Sequence, residues 1–158
     1  MHAAQSLSFP ESLDPAWSVA IIAAPYYKEE TDSLVQGAKE VLMQAGLREE
    51  NIPVYTAPGS FELPLIGKAV AAAGVVDAMI GFGIIVQGDT HHARLLAESV
   101  TNAMMGIQME FTLPFAYEVL YVDTLEQARA RAFGEGNKGR EAAYAVLHAL
   151  AELKKIRG

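Results

Sequence analysis

The chain has 158 residues, of which 51% are hydrophobic and 20% are charged, a composition typical of one globular domain with its own core. Its net charge of −7 disfavours a general nucleic-acid binder, and the absence of cysteine excludes disulfides, thiolate zinc sites and a thiol nucleophile. Because the sequence shows neither a signal peptide nor a run of about 18 apolar residues, we expect a cytoplasmic protein without a membrane span.

The first 16 residues differ in character from the remainder of the chain. They contain two prolines and show little periodicity, so residues 1–16 are predicted to form an extended arm. Leu7 and Phe9 alternate with polar neighbours, a pattern that would allow the arm to add a strand at a sheet edge. No linker, repeat or low-complexity tract divides residues 17–158, which are predicted to form a single domain.

Apolar, β-branched segments alternate with segments of helical periodicity through this domain. The second apolar segment includes Pro53, which cannot donate to a ladder, so it is predicted at a sheet edge or as a strand start. Gly46 and Gly74 are expected to end the first two helices, and Thr124 to cap the fourth. Strands are predicted at 16–24, 52–57, 77–86 and 115–122, helices at 28–46, 60–74, 92–109 and 124–133, and a last helix after the segment GEGNKG.

This alternation is typical of right-handed βαβ units. We therefore predict an α/β fold, a three-layer α/β/α sandwich with a central four-stranded parallel sheet. Ligands of open sheets of this kind bind outside the carboxyl ends of the strands. The loops APYY, APGSFE, QGDTHH and YVDT follow the four predicted strands, and we expect them to share one pocket.

The loop after the second strand presents an aromatic ring and a carboxylate at a helix start. Ser60 is predicted to cap the second helix. Phe61 could then stack on a flat ligand ring, and Glu62 could accept hydrogen bonds from ligand hydroxyls or amines. The alternative for Glu62 is purely local, since a carboxylate at a helix N-terminus is favoured by the helix dipole.

The segment QGDTHH precedes the third helix. Gly88 permits close approach of a ligand to the backbone, and free amides at the helix start can bind an anion such as phosphate. Asp89 and Thr90 are also good capping residues, so a structural role is the alternative. Adjacent histidines point about 100° apart on a helix and are poor joint metal ligands. One of them suits general acid–base chemistry, the alternative being an exposed histidine at a helix start.

A basic cluster near the last helix stands out in an acidic chain. Such side chains more commonly lie on helix faces that are exposed to solvent and have no binding role. Lys138 differs because a cation at a helix start opposes the dipole, which indicates a further interaction. The cluster comprises Arg129, Arg131, Lys138 and Arg140.

Three motifs in order, PGSFELP, GIIVQGDTHH and TLEQARARA with GNKG, closely resemble those of lumazine synthases from about residue 17 onward. The resemblance implies a flavodoxin-like fold and a transferase of riboflavin biosynthesis. That enzyme condenses 5-amino-6-(D-ribitylamino)uracil with 3,4-dihydroxy-2-butanone 4-phosphate and releases 6,7-dimethyl-8-ribityllumazine, phosphate and water. No metal and no organic cofactor is implied. The implied partners are identical subunits in a homopentamer, in some members a 60-subunit icosahedral shell, and a functional link to riboflavin synthase.

The resemblance also implies a role for each matching residue. His92 matches the proton carrier. Tyr117, Arg131 and Lys138 match residues that a neighbouring subunit contributes, with Arg131 on the phosphate. The ribitylaminouracil would be bound by Tyr26, by Ser60, Phe61 and Glu62, and by the strand end Ile85 and Val86, while Gly88, Asp89 and Thr90 would form the phosphate loop.

Four positions depart from the family pattern. Tyr27 replaces a polar amide, Gln87 stands where arginine is common, and Glu118 stands where glycine is common. Arg94 follows the histidine, where it could pair with Glu98 one turn later or supplement phosphate binding. Two other functions fit the same fold: a flavin-storing or shell-forming protein with weak catalysis, and a mononucleotide-binding module.

Overall fold

A computed structural model describes residues 7–158 of the chain. Four strands alternate with helices, and two short 3-10 turns, Glu49–Asn51 and Ser60–Glu62, precede β2 and α2. The strands are β1 (Val19–Ala23), β2 (Val54–Thr56), β3 (Ala78–Val86) and β4 (Phe115–Val122). The helices are α1 (Lys28–Gln44), α2 (Leu63–Ala73), α3 (His92–Phe111), α4 (Leu125–Ala132) and α5 (Lys138–Arg157).

The strands form one parallel sheet in the order β2-β1-β3-β4, which confirms the predicted four-stranded parallel sheet. The edge position of β2, predicted from Pro53, is confirmed, and all three of its residues are exposed. The central strands β1 and β3 are almost continuously buried because helices cover both of their faces.

Two apolar layers hold the helices against the sheet, and they confirm the three-layer arrangement. On one face, α1, α4 and α5 pack against side chains such as Ile21 and Phe82. On the other face, α2 and α3 pack against Ile22, Met79 and Phe115. Because side chains alternate along each strand, both layers draw on the same β1 and β3 segments.

The predicted helix ends are partly confirmed. Gly74 is the left-handed C-cap of α2, and Gly46 follows the end of α1 with a φ of 100°. Thr124 forms a full capping box with Gln127 at α4. The prediction that Ser60 caps α2 is wrong, because Ser60 begins a separate 3-10 turn and α2 begins only at Leu63, without a side-chain cap bond.

The described part of the predicted arm, residues 7–16, lies along α5 and forms no strand within this chain. The carbonyl of Ser8 accepts a 2.7 Å hydrogen bond from Nε2 of His148, and the rings of Phe9 and Tyr144 are 5.1 Å apart. Residues 1–6 of the arm lie outside the described residues. Within 7–158, no helix is both long and apolar enough to cross a bilayer.

Candidate active site

A cleft of about 380 Å³ opens at the carboxyl ends of β1 and β3, at the edge of the sheet where ligands were expected. The loop after β1 forms one wall, the first turn of α3 forms another, and the end of β3 lies between them. Five of the predicted site residues line this cleft, namely Tyr26, Ser60, Ile85, Val86 and His92.

At the end of β3, backbone N–H and C=O groups that pair with no neighbouring strand face the cleft. Pairing with β1 stops at Ala23 and Phe82, whereas pairing with β4 continues to Val86. Peptide groups alternate in direction along a strand, and Phe82 bonds toward β1 through Ala24. The N–H and C=O of Ile84 and Val86 therefore face the open side. Ile85 instead directs its peptide groups toward β4 and lines the cleft with its side chain.

The turn carrying Ser60, Phe61 and Glu62 is held close to the sheet. Ser60 is buried, and a Cβ built at Gly83 of β3 would lie 2.6 Å from the Ser60 Oγ. Glycine is therefore required at position 83 because Ser60 packs closely against the strand, and not because the backbone there has an unusual φ. The ring of Phe61 is 70% exposed, so its faces remain free, and Glu62 is half-buried next to it.

The loop Gly88–Thr90 is exposed and leads directly into α3. The structural alternative for Asp89 and Thr90, an N-cap role, is not observed, because His91 is the N-cap residue and makes no side-chain cap bond. The side-chain contact to a backbone amide at this end of α3 is a 3.4 Å hydrogen bond from the His92 N–H to the Thr90 hydroxyl. The first amides of α3 are therefore largely unoccupied by side chains.

The two histidines have different surroundings. His92 is the first residue of α3 and lines the cleft, whereas the cleft lining does not include His91. Among residues 7–158, no group of three histidine, aspartate or glutamate side chains lies close enough to hold a metal ion. One turn into the helix, Nε of Arg94 donates to Glu98 at 2.9 Å, so the predicted pairing of these residues is present.

Three predicted site residues lie away from this cleft. Tyr117 lies in the middle of β4, opposite Gly81 of β3. Arg131 donates to the carbonyl of Gln127 on α4 at 2.8 Å. The Lys138 ammonium pairs with Glu141 at 2.7 Å, which is the further interaction that its position at a helix start indicated.

Sequence reasoning did not assign a role to four other residues that line the cleft: Tyr27, Ile84, Ala93 and Leu96. The Tyr27 ring meets that of Tyr26 edge to face, with their centroids 5.2 Å apart. Ala93 and Leu96 lie three residues apart on α3, so helical periodicity could have identified them. Ile84 directs its side chain into the opposite core layer and offers only backbone to the cleft.

Glu118 is half-buried on β4 and shares a surface cavity with α5 and the arm. Burial raises the pKa of Glu118 to about 7, the Lys138 ammonium opposes this shift, and the Glu141 carboxylate adds to it. The cavity has a volume of about 510 Å³ and is lined by Leu7, Ser8, Glu118, Glu141, Tyr144, Ala145 and His148.

We expect Glu118 to make stability depend on pH. Its native pKa of about 7 exceeds the ordinary value of 4.5, so between these values the native state holds a proton that the unfolded state has released. Stability contributed by this proton falls as pH rises through that window. Glu118→Gln should therefore stabilise the protein by about 2 kcal/mol at pH 8 and by little at pH 5, after allowance for partial solvent screening.

Urea unfolding at pH 5 and pH 8, at one protein concentration, measures this difference. The matched control is Glu135→Gln, which neutralises an exposed carboxylate in the loop before α5. An equal effect of Glu118→Gln at the two pH values would show that the carboxyl group does not titrate in this window.

Known proteins match nearly the whole chain. A profile of the 6,7-dimethyl-8-ribityllumazine synthase family matches residues 16–154. A 6,7-dimethyl-8-ribityllumazine synthase of Stenotrophomonas maltophilia strain K279a is 37% identical over 156 residues, which cover 98% of each chain. The enzyme of the same name from Deinococcus deserti is 37% identical over 138 residues, 87% of this chain and 88% of the relative. The chain therefore belongs to the 6,7-dimethyl-8-ribityllumazine synthase family.

Proposed function

We propose that the cleft at the ends of β1 and β3 performs the reaction of the family, the condensation of 5-amino-6-(D-ribitylamino)uracil with 3,4-dihydroxy-2-butanone 4-phosphate. The products are 6,7-dimethyl-8-ribityllumazine, phosphate and water. The observation that supports this most directly is the convergence of an exposed aromatic ring, open strand backbone and His92 on one cleft. The loop Gly88–Thr90 joins the end of β3 to the helix that carries His92.

Tyr26 and the end of β3 suit the pyrimidine ring. Tyr26 is 81% exposed, so one ring face can stack on a flat heterocycle. Ile84 and Val86 present unpaired N–H and C=O groups, which match the alternating donors and acceptors of a uracil edge. Phe61 and Glu62, on the turn beside Ser60, would meet the ribityl chain, whose hydroxyls can donate to a carboxylate.

The loop Gly88–Thr90 and the first turn of α3 suit the phosphate. Four amides at a helix start have no intrahelical partner, and the helix dipole favours an anion there. Exposure of Asp89 and Thr90 leaves the loop accessible. The Asp89 carboxylate would repel the phosphate unless it turned away, so the backbone amides and the Thr90 hydroxyl are the proposed donors.

His92 would transfer protons between the two bound substrates. The amine of the ribitylaminouracil attacks the ketone of the butanone, and loss of water gives a Schiff base. Elimination of phosphate leaves an enol at the carbon that carried the neighbouring hydroxyl, and this enol tautomerises to a new carbonyl. Attack of the ribitylamino nitrogen on that carbonyl, with loss of a second water, closes the ring. One phosphate and two waters leave in total, and each step needs a proton moved, which a histidine can supply near neutral pH.

We also propose that the working unit is a homopentamer. Tyr117, Arg131 and Lys138 lie away from the cleft of their own chain, so they would complete the cleft of a neighbour. Large apolar side chains on α2 and α3 remain exposed, including Leu65 and Met109 at 68% and 71%, which fits contact with identical subunits. Native mass spectrometry would test this, since a monomer at working concentration contradicts a shared site.

The activity itself is tested by mixing the two substrates with the protein and following lumazine absorbance. A rate above the protein-free condensation supports the enzyme. A rate equal to it, with retained lumazine or flavin binding, would favour the storage or shell protein instead. Assembly of a 60-subunit shell, a cytoplasmic location and a functional link to riboflavin synthase, which would consume the product, stay predictions.

A further inference from the structure

Gln87 spans the loop that follows β3. Its Nε2 donates to the carbonyls of Gly88 and Thr90, both at 2.9 Å. An amide nitrogen has two N–H groups, so both donors of Gln87 are used within the loop. Gln87 therefore has no donor left for a phosphate. It acts on the backbone of the loop and not on the ligand.

A second side chain fixes the orientation of this amide. The Tyr121 hydroxyl, on the neighbouring strand β4, donates to Oε1 of Gln87. Tyr121 lies opposite Ile85 in the β3–β4 pairing, one strand away from the start of the loop. The loop carbonyls can only accept, so the amide nitrogen faces them, and the amide oxygen is left to accept from the Tyr121 hydroxyl. The contact joins residues 34 positions apart in the chain.

The direction of the two carbonyls determines where the following amides point. In a trans peptide the C=O and the next N–H point in opposite directions. Because the carbonyls of Gly88 and Thr90 face Gln87, the N–H groups of Asp89 and His91 face away from it. Two backbone donors are thereby aligned on the outer side of an exposed loop. The same contacts keep two partially negative oxygens off that side.

We propose that Gln87 and Tyr121 form a positioning pair that holds the loop Gly88–His91 in its phosphate-binding conformation. This inference rests on the proposed function, in which the loop binds the phosphate of the butanone. A neutral amide at this position adds no charge to attract the ligand. It contributes by ordering the donors before the ligand arrives, which lowers the entropy lost on binding. Tyr121, to which the sequence analysis assigned no role, is thus a determinant of phosphate affinity.

Tyr121→Phe is the sharpest test because it removes one hydroxyl and keeps the ring. Losing this hydrogen bond should raise both the KM for the butanone phosphate and the inhibition constant for inorganic phosphate about three- to tenfold. The KM for the ribitylaminouracil and kcat should change less than twofold. Gln87→Leu, which removes all three contacts, should show the same pattern with a larger rise in the phosphate constants.

The matched control is Tyr55→Phe, which removes a hydroxyl from the exposed edge strand β2 on the far side of the sheet. It should leave every constant unchanged. Unchanged phosphate constants in both Tyr121→Phe and Gln87→Leu would overturn the proposal, as would an equal rise in the two KM values, which a general loss of structure produces. Circular dichroism of each variant distinguishes that loss from the specific effect.

Calorimetric titration with inorganic phosphate separates this inference from the proposed function. A wild-type protein that turns over, with phosphate affinity insensitive to Tyr121→Phe, would refute the positioning pair alone. A wild-type protein that binds phosphate more tightly than Tyr121→Phe does, but forms no lumazine, would refute the proposed reaction and leave the pair supported. A wild-type protein that binds no inorganic phosphate at millimolar concentration would overturn the pair.

Discussion

Gly139→Ala is expected to lower the free energy of unfolding by about 4 kcal/mol or more. A Cβ at this position would lie 1.9 Å from the Leu34 carbonyl oxygen and 2.7 Å from its carbon. Carbon and oxygen atoms normally stay about 3.5 Å apart, so α1 and α5 would have to separate. Backbone atoms cannot move aside as the end of a flexible side chain can. The φ of Gly139 is not positive, so space and not conformational freedom requires glycine here.

The contact is tight because a buried asparagine joins the two helices at the same point. Nδ2 of Asn137 donates to the carbonyls of Ser33 at 2.9 Å and Ala132 at 2.7 Å. Its Oδ1 caps α5 by accepting from the Gly139 N–H at 2.8 Å. Separation of the helices would break these bonds in a buried environment, where unpaired polar groups are costly. The same turn begins with Lys138, so its position also depends on this junction.

Thermal and urea unfolding would measure the loss. A fall of about 4 kcal/mol corresponds to a decrease in melting temperature of roughly 10 °C for a chain of this length. Gly136→Ala is the matched control, since a Cβ there would lie 3.6 Å from the nearest atom, an ordinary contact. A Gly139→Ala protein within 1 kcal/mol of wild type would mean that the two helices are not packed as described.

The order of strands and helices was predictable because each element has a local signature. The segment 78–86 contains only apolar residues and glycine, as is typical of a strand covered on both faces, and β3 is such a strand. Thr124 and Gln127 lie three residues apart, so the capping box of α4 is also visible in the sequence. The location of the cleft followed from the parallel topology alone, since that topology brings the ends of β1 and β3 to one edge.

The remaining features depend on contacts between distant parts of the chain. Ser60 has the residue type of a helix cap, but its burial against Gly83 selects a 3-10 turn instead. Tyr121 and Gln87 are 34 residues apart, and no local pattern links them. The packing of Gly139 on Leu34 likewise joins two helices whose separation the sequence does not specify. Each of these three features depends on contacts between residues that come close together only in the folded chain, so no local sequence pattern predicts it.

His92→Ala is expected to lower kcat about 100-fold, because general acid–base groups contribute factors of roughly 10² to 10⁴. His92 is the imidazole in the lining of the cleft, and it begins the helix that follows the loop Gly88–Thr90. The KM values should stay within about threefold of wild type, since the proposed ring and phosphate contacts come from other residues. A proton carrier acts in the transition state and contributes little to ground-state binding.

His91→Ala is the matched control for this prediction. His91 is adjacent, has the same side chain and is exposed, but it makes no cap bond and does not line the cleft. Its removal should change kcat less than twofold. His92→Gln separates proton transfer from hydrogen bonding, because the amide can donate a hydrogen bond but cannot carry a proton at neutral pH. Steady-state rates, corrected for the protein-free condensation, should fall as far in His92→Gln as in His92→Ala. If glutamine restored the rate, His92 would act by positioning the substrate, and the proton would have to move through water or through the substrate amine.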